Sequence, residues 1–217
     1  TPLSILSLFG VEQMLSITLA ESDRQIQSKI YRALAKDVKK SFKKNVGKIE
    51  GRLQPLVASA LHSSPEIMSL SGGGLRFDFG LTTDPANDIV TAILSSIEVD
   101  VTDVRATAHD IRGGFVIRIQ PIDYNNLLFL PIATQGTEHG VTLPWLEWLL
   151  TLGDAIIVAN FGVEYGPFGR TGGAHMVVKE RPFKVNTLYS GTADDNFITR
   201  ALGRIAPQIK NVIRSSL

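Results

Sequence analysis

The sequence predicts an α+β protein, with a mainly antiparallel sheet packed by long N-terminal and C-terminal helices. Helical patterns come first, followed by strands with one or two short helices, and a helical pattern ends the chain. No regular alternation of strand and helix runs through the 217 residues. With 44% apolar and 20% charged residues, the chain can bury a core. We expect an apolar arm or helix over residues 1–20 and a single α+β domain over residues 21–217.

The first long helix is predicted from apolar residues that recur at intervals of four between residues 21 and 46. Basic residues fill its other faces, which is typical of an amphipathic helix. Ser22 and Asp23 are candidate N-terminal caps. The apolar positions are Ile26, Ile30, Leu34, Val38, Phe42 and Val46.

Helix breakers follow this segment. Gly47, Gly51 and Pro55 predict a bend, after which a shorter helix continues. The run Ser63-Ser64-Pro65 predicts the end of that helix.

The remaining elements are assigned from periodicity and turn residues. Strands are predicted at residues 75–81, 99–104, 115–120, 155–165 and 174–178. Helices are predicted at residues 85–97, 143–152 and 193–217, with Asp194 and Asp195 in the first turn of the last one. A loop is expected at residues 71–74.

Charge is unevenly distributed although the net charge is only +1. Residues 24–52 hold ten Lys or Arg and two acidic residues, and residues 198–217 hold four basic residues and no acid. Residues 53–197 hold eight basic and sixteen acidic residues. Such segregation suits complementary contacts between copies or with neighbours. The alternative is that the basic residues are the solvated faces of long helices.

Residues 3–19 form a strongly apolar segment. No Lys or Arg precedes it, so the positive region of a signal peptide is missing, and Gly10 and Glu12 make a membrane span a weak interpretation. We expect this segment to pack on the domain or on a partner copy. Its apolar members are Leu3, Ile5, Leu6, Leu8, Phe9, Val11, Met14, Leu15, Ile17 and Leu19.

No catalytic or metal-binding constellation has the required spacing. The glycine-rich stretch Gly166–Gly173 lacks the Gly-Lys-Ser/Thr of a phosphate loop and precedes a strand, so a hairpin is the better interpretation. The cluster His109-Asp110, near Asp100 and Asp103, is the one group of metal-ligand residue types. The absence of cysteine excludes disulfides, iron–sulfur clusters and thiolate zinc sites. We expect no enzymatic activity and no cofactor.

Two tryptophans three residues apart mark the helix predicted at 143–152. Trp145 and Trp148 could form a binding platform, but aromatic residues at this spacing are more often core residues or anchors at a subunit interface.

Three segments together resemble the head–tail joining, neck and tail-completion proteins of tailed bacteriophages. The first carries Gly73, Leu75 and Arg76 between a basic helix and a strand, which is similar to the Thr-Gly-x-Leu-Arg turn of that group. The second runs over residues 143–150 and leads to the turn at 169–176. The third, residues 190–202, opens the last helix with Phe197 and Arg200-Ala201.

The resemblance implies a non-enzymatic virion protein that forms a ring at the neck or tail end. Its partners would be copies of itself, other neck, portal or tail proteins and, in passing, genomic DNA. The chain departs from the compact members of that group in three ways. It has Ser in place of Thr, with extra glycines, in the first of these turns, and it carries the added segment 145–159 and the apolar arm. The alternative function is a nucleic-acid-binding protein that uses the basic helix 24–52. The candidate interface residues are Ile26, Ile30, Leu34, Lys39, Lys40, Lys43, Lys44, Trp145 and Trp148.

Overall fold

The longest helix, α1, spans Asp23–His62. A computed structural model describes residues 21–107, 109–136, 140, 142–180 and 182–216 of the chain. At 1.5 Å per residue, the 40 residues of α1 extend over about 60 Å. Ser22 is its N-cap, as the sequence indicates, and the Ser22 backbone N–H donates to the Gln25 side-chain carbonyl at 2.8 Å. The predicted arm, residues 1–20, lies outside the described residues.

The predicted division of this segment into two helices is wrong, because α1 continues through Gly47, Gly51 and Pro55. The three residues are exposed, while Ile49 and Leu53 between them are fully buried. The free energy gained by burying these side chains on the opposite face offsets the destabilisation of the helix by the two glycines and by Pro55, which lacks a backbone N–H.

Three short helices follow: α2 (Pro65–Gly72), α3 (Gly74–Asp78) and α4 (Ala86–Ser95). The predicted strand at 75–81 is therefore wrong, because α3 is followed by a turn at 79–80 and no strand forms there. The predicted loop at 71–74 is divided between α2 and α3. Leu75 and Phe79 are buried, whereas Phe77 between them is only half-buried. The four-residue spacing of the buried pair is that of a helix.

Arg76, one of the residues that carry the resemblance, has a structural role in this region. Its Nη1 donates to the Ser71 carbonyl at 3.2 Å and its Nη2 to the Thr82 carbonyl at 2.9 Å. The guanidinium thus joins the end of α2 to the chain that follows α3.

The strands are short and pair antiparallel in five two-stranded sheets within the described residues. In chain order they are β1 (Glu98–Val101), β2 (Arg105–Ala106), β3 (Ile111–Arg112), β4 (Phe115–Arg118), β5 (Gln135–Gly136), β6 (Thr142–Leu143), β7 (Ile156–Val158), β8 (Phe161–Tyr165), β9 (Ala174–Val178) and β10 (Phe183–Lys184). The pairs are β1–β4, β2–β3, β5–β6, β7–β10 and β8–β9. Asn160, with a φ of 59°, divides the single strand predicted at 155–165 into β7 and β8.

Two short helices lie between the strands, α5 (Asn125–Leu128) and α6 (Trp145–Leu150), together with a 3-10 turn at Pro131–Ala133. The last helix, α7 (Phe197–Arg214), runs antiparallel to the second half of α1. Arg200 near its start reaches Glu66, just beyond α1, and Ser215 after its end accepts from Arg52 of α1 at 3.1 Å.

Asn196, rather than Asp194 or Asp195, begins α7. Its fully buried side chain accepts from the Ile198 and Thr199 backbone N–H groups at 3.1 and 3.2 Å. Its amide nitrogen donates to the Tyr124 hydroxyl at 2.7 Å. One side chain therefore caps the helix and connects it to the loop before α5.

The core lies between the second half of α1 and the helices packed on it, which confirms the predicted α+β class with antiparallel strands around long helices. Its fully buried side chains include Ile49, Leu53, Leu61, Ile67, Leu70, Ile89, Ile93, Trp145, Leu146 and Phe197. Within the described residues, none of the helices is both long and apolar enough to cross a membrane.

The role of Asn196 can be tested by substitution. Asn196→Ala removes the cap and leaves the Tyr124 hydroxyl and the Leu150 carbonyl without this donor, so we expect a loss of about 2–4 kcal/mol in the free energy of unfolding, measured by urea denaturation. Asn211→Ala, at an exposed position of the same helix, should change stability by less than about 0.5 kcal/mol. Equal effects at both positions would contradict the capping role.

Candidate functional site

The first half of α1 extends beyond the core. Among residues 23–48, Ala35 is buried, whereas from Ile49 onward the helix buries a side chain on nearly every turn. The β1–β4 ribbon covers part of one side, and the rings of Phe42 and Phe115 lie 4.8 Å apart. The β2–β3 ribbon also contacts α1, and Thr107 and His109 line a shallow cavity with Ser28 and Arg32.

The apolar row of α1 winds around the helix. With 3.6 residues per turn, each step of four residues turns the row by about 40°, so it rotates by about 200° between Ile26 and Val46. Phe42 therefore points within about 20° of buried Ala35, and Ile30 points about 140° away from it. Consistent with this geometry, Phe42 is half-buried but Ile30 and Leu34 are 53% and 46% exposed.

We call Ile26, Ile30 and Leu34 the apolar row. Ile26 is half-buried and the other two are exposed. The structure thus places all three predicted interface residues outside the core.

A basic face lies beside this row. Six exposed side chains fall within a sector of about 120° and extend over about 22 Å of helix. They are Lys29, Arg32, Lys36, Lys40, Lys43 and Lys44. The sequence singled out three of them. Lys29, Arg32 and Lys36 were missed as individual residues, although helical spacing from Lys40 and Lys43 places them on the same face.

Lys39, also predicted at the interface, differs from the basic face. It is half-buried, and its Nζ lies 3.0 Å from Asp103 Oδ1, so it joins α1 to the β1–β2 loop. Hydrogen bonds from Arg105 and Lys39 lower the pKa of Asp103. Lys29 is paired with Glu21. The other members of the basic face are not ion-paired with any residue that the structure describes.

Seven of the sixteen acidic residues in the range 53–197 form ion pairs within the described part of the chain. The three aspartates of the predicted ligand cluster each pair with arginine: Asp100 with Arg118, Asp103 with Arg105, and Asp110 with Arg112. In the part of the chain that is described, no group of three or more His, Asp or Glu is arranged to hold a metal ion. These carboxylates are therefore less available to basic groups of another copy than the sequence indicates.

The two tryptophans belong to α6 and pack in different ways. Trp145 is fully buried against Phe79, with ring centroids 5.5 Å apart, and its Nε1 donates to the Ile132 carbonyl at 2.6 Å. Trp148 is half-buried at the edge of the core, and among described residues its buried Nε1 finds no acceptor. Trp145 is thus a core residue, which leaves Trp148 as the more accessible ring.

An exposed apolar surface on the β8–β9 ribbon was not predicted. Phe161 pairs with Val178 and Val163 with Met176, so the four side chains share one face. Val178 is 78% exposed, and Met176 and Phe161 are also exposed. We call these four residues the ribbon face. The alternation of residues 161–165 indicated a strand, but it did not show that Phe161, Met176 and Val178 would be left exposed.

The glycine-rich turn closes the β8–β9 hairpin, in agreement with the predicted turn. Gly169 and Gly172 have φ values of 75° and 68°, in the left-handed region that favours glycine. Arg170 donates to the carbonyls of Gly80 and Gly136 at 3.0 and 2.9 Å. This arginine therefore fixes the hairpin to the turn after α3 and to β5.

The hairpin has a second contact with α3. The Tyr165 hydroxyl donates to Asp78, whose pKa is raised by burial although this hydrogen bond opposes the shift. Burial of the Tyr165 hydroxyl, followed by the same hydrogen bond, raises the pKa of Tyr165. Both groups serve to hold the ribbon on the domain.

Comparisons with known proteins found no relative. No family model, curated protein or solved structure matches this chain.

The contrast between the tryptophans gives a prediction. Trp145→Phe removes the donor to Ile132 and leaves a void, so it should lower the free energy of unfolding by about 2–3 kcal/mol. Trp148→Phe removes a donor for which the described residues offer no acceptor and should cost about 1 kcal/mol or less. Urea denaturation followed by circular dichroism measures both. If Trp148→Phe lowers the free energy of unfolding more than Trp145→Phe does, the Trp148 ring contributes more to the stability of the core than Trp145.

Proposed function

We propose that this chain is a non-enzymatic structural protein of a tailed-phage virion, which forms a ring at the neck or tail end and helps to join head and tail. The resemblance in three segments suggests the setting. The observation that carries the proposal is the ribbon face, where Phe161, Met176 and Val178 are exposed together with Val163 on one face of a two-stranded sheet.

Exposed contiguous apolar surfaces are typical of protein–protein contacts. A closed ring requires that each subunit present two different surfaces, one to each neighbour. The ribbon face would be one of them, because Arg170 and Tyr165 hold its strands firmly on the domain. Complementary charge contributes less than the sequence indicates, since Asp100, Asp103 and Asp110 already pair with arginines of the same chain. Apolar burial would then supply most of the affinity.

The ring is tested by native mass spectrometry and electron microscopy of the purified chain. We expect one closed oligomer for the parent protein. Met176→Lys combined with Val178→Lys places two charges on the ribbon face and should shift the mass to single subunits without changing the circular dichroism spectrum. Ile122→Lys, at a 94% exposed apolar position outside the ribbon, is the matched control and should leave the oligomer intact.

Two results would reject the proposal. One is a parent protein that stays monomeric at all concentrations, alone and with the other neck and tail proteins. The other is a ribbon variant that assembles like the parent.

Nucleic-acid binding is the second candidate function, and the basic face favours it. Its six cations line one side of α1 over about 22 Å, a length that matches several successive phosphates of a duplex. Contacts to phosphate alone would give binding without sequence preference. In a ring, this face could contact genomic DNA in passing.

The DNA contact is tested by the salt dependence of binding. Changing Lys36, Lys40, Lys43 and Lys44 to Gln should reduce the slope of log K against log salt concentration by about 3 to 4. A control with Lys179→Gln and Lys184→Gln removes lysines that already pair with Glu164 and Asp154 and should leave the slope nearly unchanged. Fluorescence anisotropy with a duplex measures both. Equal slopes in the parent and the quadruple variant would exclude the basic face as the DNA contact.

A further inference from the structure

A cavity of 580 Å³ lies between the start of α2 and the first turns of α7. Its volume is within the range of about 300–1,000 Å³ that is typical of ligand pockets. The chain segment between β10 and α7 forms its third side. The lining residues are Pro65, Glu66, Leu188, Arg200, Gly203 and Arg204. None of them belongs to the ribbon face or to the basic face, so this cavity is separate from both.

One wall of the cavity is a buried ion pair. Glu66 is only 3% exposed, and its Oε1 accepts from Arg200 Nη2 at 2.7 Å. Arg200 Nη1 donates to Asp195 at 3.1 Å, so the guanidinium is held in place by two carboxylates. Among the described residues no donor contacts Glu66 Oε2. This oxygen is therefore an acceptor for an N–H group that enters the cavity.

Arg204 supplies the free positive charge of the cavity. It follows Arg200 by four residues, so helical spacing places both side chains on one face of α7. Arg204 is exposed and forms no ion pair with a described residue. Because Glu66 and Asp195 already neutralise Arg200, Arg204 is the group that would attract a carboxylate.

Gly203 leaves the surface of α7 open between these arginines. Glycine destabilises the interior of a helix relative to alanine. A Cβ at this position would meet no heavy atom within 4 Å, so contacts with the described part of the protein do not require a glycine here. A ligand that approaches the backbone of α7 closely would require one.

The cavity also has an apolar side. Leu188 is 66% exposed beside it, and Pro65 at the start of α2 adds a second apolar surface. An apolar group that covers Leu188 would remove both surfaces from water, which favours binding.

We propose that this cavity binds a peptide segment of a partner protein in which an acidic side chain lies next to an apolar one. The carboxylate pairs with Arg204, the apolar side chain packs on Leu188 and Pro65, and a peptide N–H donates to Glu66. The Glu66–Arg200 pair remains intact and positions the site. The inference does not depend on the proposed function, because the cavity shares no residue with the ribbon face.

Binding is tested by NMR titration of the isotopically labelled full chain with three blocked dipeptides. Acetyl-Leu-Asp-amide carries both groups, acetyl-Leu-Asn-amide lacks the charge, and acetyl-Gly-Asp-amide lacks the apolar side chain. We expect the first to shift the backbone amide signals of Leu188 and Gly203 and to bind severalfold more tightly than the other two. Absence of these shifts at millimolar peptide, or equal affinity for all three dipeptides, would overturn the proposal.

The role of the charge is tested with a matched pair of variants. Arg204→Gln should weaken binding of acetyl-Leu-Asp-amide severalfold and leave the affinity for acetyl-Leu-Asn-amide unchanged. Lys210→Gln removes an exposed charge of the same helix outside the cavity and should change neither affinity. Equal losses in both variants would mean that the general charge of α7 attracts the peptide, which would contradict a site in the cavity.

A second pair of variants blocks the cavity without removing charge. Open space above Gly203 means that the fold should tolerate Gly203→Leu, whose side chain occupies the position of the ligand and should abolish the peptide-induced shifts at Leu188. Gln208→Leu, at an exposed position of α7 outside the cavity, is the control and should bind like the parent chain. Circular dichroism verifies that each variant is folded. Unchanged binding to Gly203→Leu would show that the peptide binds elsewhere and would reject the proposal.

Discussion

The buried side of the second half of α1 organises the molecule. Ile49, Leu53 and Val57 are fully buried, and α2, α4 and α7 all contact this helix. Each of these side chains contributes about 1.5–3 kcal/mol when it leaves water. Since α7 comes from the far end of the chain, its packing here closes the domain. Asn196 directs it to this position because the same side chain caps α7 and binds Tyr124 and Leu150.

One helix thus serves two purposes. Its second half belongs to the core, and its first half presents the basic face and the apolar row to the surroundings. The change occurs without a break in the helix because the apolar positions recur every four residues, while a turn has 3.6. The resulting rotation directs Phe42 toward the domain and Ile30 away from it. A heptad-like spacing would have kept the whole row on one side.

The sequence predicts the class of the fold, the Ser22 cap and the approximate limits of α4, α6 and α7, because these depend on local patterns, but it does not predict α2, α3 or α5. It fails where two patterns compete. Leu75, Phe77 and Phe79 alternate as in a strand, but the pair Leu75–Phe79 also has helical spacing, and burial of both decides for the helix. At Pro55 the local cost of a helix is overcome by tertiary packing. The candidate site is predicted in part: lysine spacing indicates a basic face, but the exposure of the ribbon face depends on which elements pack elsewhere.

The unequal burial of α1 also sets a gradient of local stability along a single helix. Amide hydrogens near Leu53 and Val57 exchange with solvent only when the core opens, whereas those near Arg24 and Ser28 exchange whenever the helix end frays. Pro55 contributes no amide hydrogen to this profile. Anything that binds the first half of α1 restricts fraying there and slows exchange in those residues alone, so hydrogen–deuterium exchange along this helix reports on partners without disturbing the core.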